Sequence, residues 1–338
     1  MKTIVCNSPN QLLVTERKRP AVKEGEALVK IHRIGVCGTD IHAYHGRQPF
    51  FSYPRVLGHE LSGEIAELNE ENQDLSLGDK VAIIPYLECG QCIACRKGKP
   101  NCCRNIQVLG VHTDGGMQEY ISVPTSHLIK INQLSYDQAA IVECLSIGAH
   151  AVRRANIQRD EYVLVIGAGP IGLGIMQYAK LAGAKVIVMD MSMERLKFCQ
   201  KWASPDYTVN AKENPEYDIA EITNGDYPTA VFDATGNINS MNNAYKYAAH
   251  GGSIIYVGLV QAELQFSDQE FHKRELTIYA SRNATKEDFE TVINSLEEGK
   301  IDIQPFITCN VSLESLPERF EDLTAPETGN IKIMIELP

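Results

Sequence analysis

The sequence predicts an α/β protein in two parts, a β-rich first part and a doubly wound parallel sheet in the middle. Three observations carry this. Strands alternate with helices from about residue 149 to 284. A glycine turn, "GAGPIG", sits where one strand hands over to one helix. Before about residue 137 there are only short apolar runs broken by Gly and Pro, and no long amphipathic helix.

The first part holds the short runs "EALVKIHRIGVCG", "LGHELSGEIAEL" and "GDKVAIIPY". In the middle part, "EYVLVIGAG" reads as a buried strand ending in glycines. The segment "PIGLGIMQYAKLAG" is a helix opened by Pro170 and closed by Gly183. Strand "KVIVMD", helix "MERLKFCQKWA", weak strand "YTVN", strand "TAVFDAT", helix "INSMNNAYKYAAH" and strands "GSIIYVG" and "ELTIYAS" follow. The tail from 285 to 338 has one helix, "KEDFETVINSLEEG", and a last strand, "NIKIMIEL". It is too short to fold alone and is expected to return to the first part. The expected divisions are 1–148, with a thiol-rich lobe at about 86–105, then 149–284, then 285–338.

Composition narrows the functional classes. A net charge of -11 with no long Lys/Arg block opposes nucleic-acid binding. No apolar run is long enough to span a membrane. The N-terminal "MKTIVCNSPNQ" lacks the apolar core of a secretion signal. Ten cysteines without such a signal point to a reducing, cytoplasmic setting and to metal binding more than disulfides.

Five of those cysteines fall in "ECGQCIACRKGKPNCC". Cys89, Cys92 and Cys95 repeat at intervals of three, so a compact loop can turn their thiolates toward one point. A fourth thiolate, from Cys102 or Cys103, completes an all-thiolate zinc site. Four protein ligands leave no open position, so such a site is structural. A second, dispersed set comprises Cys37, Thr39, Asp40 and His42 in "GVCGTDIH", His59 and Glu60 in "GHELSG", and Glu143 in "AAIVECLSIGAHAV". One thiolate, one imidazole and one or two carboxylates leave room on zinc for water or substrate, the catalytic type.

The glycine turn Gly167, Gly169 and Gly172, with Pro170 and Ile171, fits a dinucleotide pyrophosphate at a helix N-terminus. Asp190 ends the next strand, 18 residues after the last glycine, and is placed to accept hydrogen bonds from the adenosine ribose. A carboxylate there favours NAD over NADP. Arg195 lies close enough to soften that preference. Thr235 and Val257, at the ends of two later strands, are further cofactor candidates.

Taken together, "GHELSG", "CGTDIH", the four-cysteine lobe and "GAGPIG" resemble the zinc-containing medium-chain dehydrogenases, a family that includes alcohol, sorbitol and threonine dehydrogenases. The resemblance covers essentially the whole chain. It implies a GroES-like β-barrel catalytic domain interrupted by a Rossmann domain, one catalytic and one structural zinc, and NAD. Family spacing puts the fourth lobe ligand eight residues after the third, which selects Cys103 and leaves Cys102 spare. The implied catalytic ligands are Cys37, His59 and either Glu60 or Glu143, with "ECLSIGAHA" resembling the polyol-type pattern that uses Glu143. The resemblance further implies hydride transfer from a secondary alcohol to NAD, with Thr39 and His42 expected to relay the hydroxyl proton.

The stretches "GRQPFFSYPRVLGHE", "GVHTDGG", "AHAVRRA", "LQFSDQEFHKRE" and "SRNAT" are similar to a subgroup of bacterial hexonic-acid dehydrogenases. This implies oxidation of L-galactonate to D-tagaturonate, with L-idonate, sorbitol and L-threonine as alternatives. Arg282 is the expected substrate cation, Phe50 and Phe51 the expected pocket wall, and Arg47, His112 or Lys273 further contacts for a carboxylate. The family implies a small-molecule partner and a homodimer or homotetramer, joined at the sheet edge formed by "GSIIYVG" and "ELTIYAS".

Overall fold

The computed structural model describes residues 1–49, 51–69 and 73–338. The chain separates into two compact units, 1–144 with 285–338, and 145–284.

The first unit is organised by one long strand, Glu26–Gly35. Its N-terminal half pairs with Tyr120–Pro124 and its C-terminal end with Lys332–Glu336, both antiparallel. Along its other edge it pairs with Glu60–Leu68, with register shifts at Leu28/Val29 and Ile31/Arg33. Such shifts bend a strand and raise its twist, which lets one strand serve three partners. The seven-stranded sheet runs Ile307–Ser312, Lys332–Glu336, Glu26–Gly35, Glu60–Leu68, Lys80–Ile83, Leu128–Lys130, with Tyr120–Pro124 attached to the long strand. The apolar face buries Ile31, Ile34, Leu57, Leu61 and Phe320. The tail therefore supplies two strands to this sheet, one of them directly against its central member.

In the second unit all six strands are parallel. The order is Tyr207–Asn210, Lys185–Asp190, Tyr162–Ile166, Ala230–Asp233, Ser253–Tyr256, Thr277–Ala280. The order reverses between Tyr162–Ile166 and Ala230–Asp233, and ligands of such sheets bind outside the strand ends at that reversal. Val163, Leu164 and Val165 are fully buried, as strands covered on both faces must be. Side chains cap the helices that return between strands. Ser192 accepts from the Arg195 N–H, Asn237 from Asn239 and Ser240, and Ser267 from Glu270.

The expected helix "INSMNNAYKYAAH" is α-helical only over Ile238–Asn243 and tightens into a 3-10 turn over Ala244–Tyr247. Its run of Asn is a weak helix former. Helices Pro215–Ile222, Asp268–Lys273 and Leu316–Thr324 were not expected from the pattern. Each is too short to show a helical period above the noise.

At the glycine turn, Gly167 takes φ +98°, and a Cβ on Gly172 would stand 1.8 Å from the Gly167 carbonyl oxygen. Backbone cannot yield as a flexible side chain can. Gly172→Ala is expected to destabilise the second unit by about 1–3 kcal/mol, measured as a lowered urea midpoint. A wild-type midpoint would show that the turn relaxes freely.

Candidate active site and metal sites

Around the lobe, the Sγ atoms of Cys89, Cys92, Cys95 and Cys103 all lie within 4.8 Å of one another. Cys92 precedes the short helix Ile93–Arg96, which carries Cys95 one turn on, and the two sulfurs are 3.5 Å apart. The 3-10 turn Pro100–Cys102 brings Cys103 back to Cys89, with 3.4 Å between their sulfurs. Sulfurs about 2.3 Å from a tetrahedral zinc stand about 3.8 Å apart, so this spacing fits the ion. The N–H groups of Cys89 and Asn105 donate to the Cys103 sulfur at 3.3 Å each. Those of Cys95 and Arg104 draw the Cys92 thiol down to about 6. These donors favour the thiolate that a metal needs at Cys103 and Cys92, while burial and the neighbouring Cys92 and Cys103 side chains push the Cys95 thiol up to about 12. Cys103 is buried and its neighbour Cys102 exposed, so adjacent side chains diverge and one of them joins the cluster. All ten cysteines are free thiols.

The dispersed set is looser. Among the described residues no second group of three such ligands comes within 4.8 Å. Cys37 stands at the start of helix Gly38–Tyr44. Two residues of the set are held by Asp40, which is fully buried. Its carboxylate accepts from the Cys37 N–H and from the Gly58 N–H, both at 3.0 Å. It also lies 3.8 Å from His59 Nδ1, a buried nitrogen with no hydrogen-bond partner. His59 is in side-chain contact with Cys37. Burial disfavours its cation, but Asp40 and Cys37 outweigh that and raise its pKa well above the ordinary value.

Glu143 is buried on helix Tyr136–Ala155 and accepts a hydrogen bond from the Tyr86 hydroxyl. Burial pushes its carboxyl up to about 7, against the pull of His59. A thiol, an imidazole in side-chain contact with it, and a buried carboxylate form a donor set that fits zinc.

Glu60 is differently placed. Both its oxygens accept from Lys332 Nζ, at 2.6 and 2.7 Å, and the ammonium also donates to the Val36 carbonyl at 3.1 Å. Lys332 and Glu60 are each 1 % exposed. Gly35 makes room, since a Cβ there would stand 2.0 Å from Glu60 Oε2. Of the two carboxylates considered for the metal, Glu60 is thus committed to an ion pair. Lys332 and Tyr86 escaped the sequence analysis. The signal for Lys332 was a lone cation inside the apolar run "NIKIMIEL". For Tyr86 there was none, because an aromatic in "AIIPYL" reads as core.

Thr39 is half-buried in the first turn of helix Gly38–Tyr44, and His42 lies three residues on, toward solvent. Partial burial lowers the His42 pKa, and Arg47 and His45 add to this. Arg47 is exposed just beyond, its N–H bonded to the His42 carbonyl at 2.7 Å. Phe51 packs against Tyr53 with ring centroids 4.8 Å apart. Phe50 lies outside the described residues. His112 Nδ1 accepts from the Val108 N–H at 3.0 Å, so that nitrogen secures its own turn.

In the second unit, Gly167, Gly169, Pro170, Ile171 and Gly172 form the turn into helix Pro170–Leu181. Asp190 accepts from the Ala168 and Ser192 N–H groups, both at 2.7 Å, which ties it to this turn. Beside it opens a cavity of ≈ 530 Å³ lined by Asp190, Ser192, Arg195, Asn210 and Lys212 among others. Buried Asp233 gathers the two remaining candidates. Its carboxylate accepts from the Thr235 N–H and hydroxyl at 2.9 and 2.6 Å, and its carbonyl from the Val257 N–H at 2.9 Å. Lys273 and Arg282 are exposed in this unit, Lys273 lying 3.7 Å from Glu270.

Residues 23–133 match the family model of the alcohol dehydrogenase GroES-like domain, and residues 170–298 that of the zinc-binding dehydrogenases. The chain is 46 % identical over 321 residues to L-galactonate-5-dehydrogenase of Escherichia coli K12, covering 95 % of this chain and 94 % of that one. Among solved structures, an alcohol dehydrogenase of Escherichia coli CFT073 complexed with NADH is 32 % identical, with TM-score 0.93 and coverage of 100 % and 99 %. The galactitol-1-phosphate dehydrogenase of Escherichia coli is 28 % identical, with TM-score 0.92 and full coverage of both chains.

Two outcomes follow from the geometry. Cys103→Ser is expected to lower the zinc content of the purified protein by one ion per chain, while Cys102→Ser leaves it unchanged, as read by elemental analysis. Lys332→Met strands a buried carboxylate and is expected to destabilise the first unit by about 3–5 kcal/mol. The double change Glu60→Gln with Lys332→Met should recover much of that loss in urea unfolding.

Proposed function

The chain belongs to the zinc-type medium-chain alcohol dehydrogenase family, a zinc- and NAD-dependent class of oxidoreductase, and we propose that it oxidises a secondary hydroxyl of a sugar acid, L-galactonate before others. The reaction rests on one observation above all: Cys37, His59 and Glu143 offer a thiolate, an imidazole and a carboxylate, while Glu60 is held by Lys332. The choice of substrate rests on the 46 % identity to an enzyme named for L-galactonate.

In this reading Cys37, His59 and Glu143 hold the catalytic zinc, and Cys89, Cys92, Cys95 and Cys103 the structural one. Bound zinc supplies Lewis acidity that makes a substrate hydroxyl easier to deprotonate at neutral pH. Asp40 orients His59 from its far side, as carboxylates behind metal-ligating histidines do. The Thr39 hydroxyl takes part in passing the proton outward, and His42, kept neutral by its lowered pKa, accepts it near the surface. Gly167, Gly169, Pro170, Ile171 and Gly172 cradle the NAD pyrophosphate. Asp190 takes the adenosine ribose, Arg195 flanks it, and Thr235 and Val257 border the nicotinamide end. Arg282 and Arg47 are the proposed cations for the substrate carboxylate, which Arg can hold with two parallel hydrogen bonds.

The exposed edge strand Thr277–Ala280 is the proposed seam of a homodimer or homotetramer. Free thiols throughout accord with a reducing cytoplasm. Among the described residues no helix is long and apolar enough to cross a membrane.

NAD reduction by purified protein against L-galactonate, L-idonate, sorbitol and L-threonine, with and without a chelator, tests this reading. The highest kcat/KM is expected with L-galactonate, and the activity is expected to vanish on metal removal. Turnover of sorbitol or threonine alone would overturn the substrate, and turnover that survives zinc loss would overturn the chemistry.

A further inference from the structure

We propose that Tyr86 is a positioning residue that holds Glu143 in place as a ligand of the catalytic metal. This rests on the reading of Glu143 given above. Tyr86 lies in the two-residue strand Tyr86–Leu87, paired antiparallel with Gln107–Val108, so its backbone is fixed. Its side chain is buried, and its ring meets that of Phe289 edge-on at 6.2 Å and 80°. Phe289 is itself fully buried on helix Lys286–Glu297. Backbone pairing on one side and ring packing on the other leave the phenol little freedom. Its single polar atom donates to Glu143 Oε1.

Glu143 needs such a partner. Its side chain has three rotatable bonds and projects from a helix, and ordering it costs rotamer entropy. A donor on Oε1 limits the swing of the carboxylate and leaves Oε2 free for another bond. Another nearby acid, Glu60, is anchored by Lys332. Glu60 and Glu143 therefore have separate keepers, a cation for Glu60 and a neutral phenol for Glu143. A neutral keeper leaves the carboxylate its charge for a metal. Outer partners of this kind are worth about 10–100-fold in metal affinity.

The test is a thermodynamic cycle on the full chain. Zinc retention at each site is measured by chelator competition for the wild type, Tyr86→Phe, Glu143→Gln and the double variant. Phenylalanine keeps the ring against Phe289 and removes only the hydroxyl. Cobalt replacing the catalytic-site zinc gives a visible spectrum that reports ligand geometry. The proposal expects Tyr86→Phe to weaken that site about 10-fold or more, shift the cobalt bands and leave the four-cysteine zinc in place. In the Glu143→Gln background the same change should have no further effect, because Tyr86 acts through Glu143. Wild-type retention and spectrum in Tyr86→Phe would overturn the proposal. So would an equal loss with and without Glu143, which would make Tyr86 a packing residue only. If Glu143→Gln alone keeps the catalytic zinc as tightly as the wild type, Glu143 is no ligand, and both that reading and this one fall.

Discussion

Much of the first unit turns on one buried ion pair, Lys332 with Glu60. Two charges in a protein interior cost several kcal/mol each to desolvate, and only close, fully hydrogen-bonded contact offsets this. Here the ammonium meets both carboxylate oxygens and a backbone carbonyl. The contact joins residues 272 positions apart in the chain. It also sets constraints nearby. Gly35 must lack a Cβ, the strand Lys332–Glu336 must lie against Glu26–Gly35, and the Glu60 side chain is drawn toward Lys332 while its neighbour His59 faces Asp40.

The same device recurs with less charge. Asp40 faces the His59 ring at 3.8 Å, and two backbone N–H groups on separate segments converge on its carboxylate. It couples the turn carrying Cys37 to the loop carrying His59, and so two candidate ligands on separate segments become one local structure. Asp233 does the corresponding work at the carboxyl end of the parallel sheet, where it gathers Thr235, Ser240 and the start of the Val257 loop. In each case a buried acid replaces water as the acceptor for loop N–H and O–H groups that would otherwise go unpaired. Both loops carry candidate functional groups, and loops built this way are held without an extended ladder of their own.

Legibility in the sequence followed the range of the interactions. The parallel sheet was readable because each of its strands and long helices states its own periodicity. The thiol lobe was readable because its ligands sit within fifteen residues, so spacing alone limits their geometry. Short helices such as Leu316–Thr324 left too few turns to announce themselves. Tyr86 read as an ordinary core aromatic, since nothing beside it in sequence hints at an acid 57 residues away.

By itself the sequence determined the alternation of strands and helices, the glycine turn, the repeated thiols and the inventory of metal-ligand types. These depend on local backbone preference and on short spacings, which the order of residues states directly. Only the tertiary structure decided how the two acids, Glu60 and Glu143, divide their partners. Burial makes each carboxylate need a specific partner, and which partner is within reach depends on how distant strands close over the site. Lys332 comes from the C-terminal segment of the unit and Tyr86 from within its first segment, and only packing brings either of them to its acid.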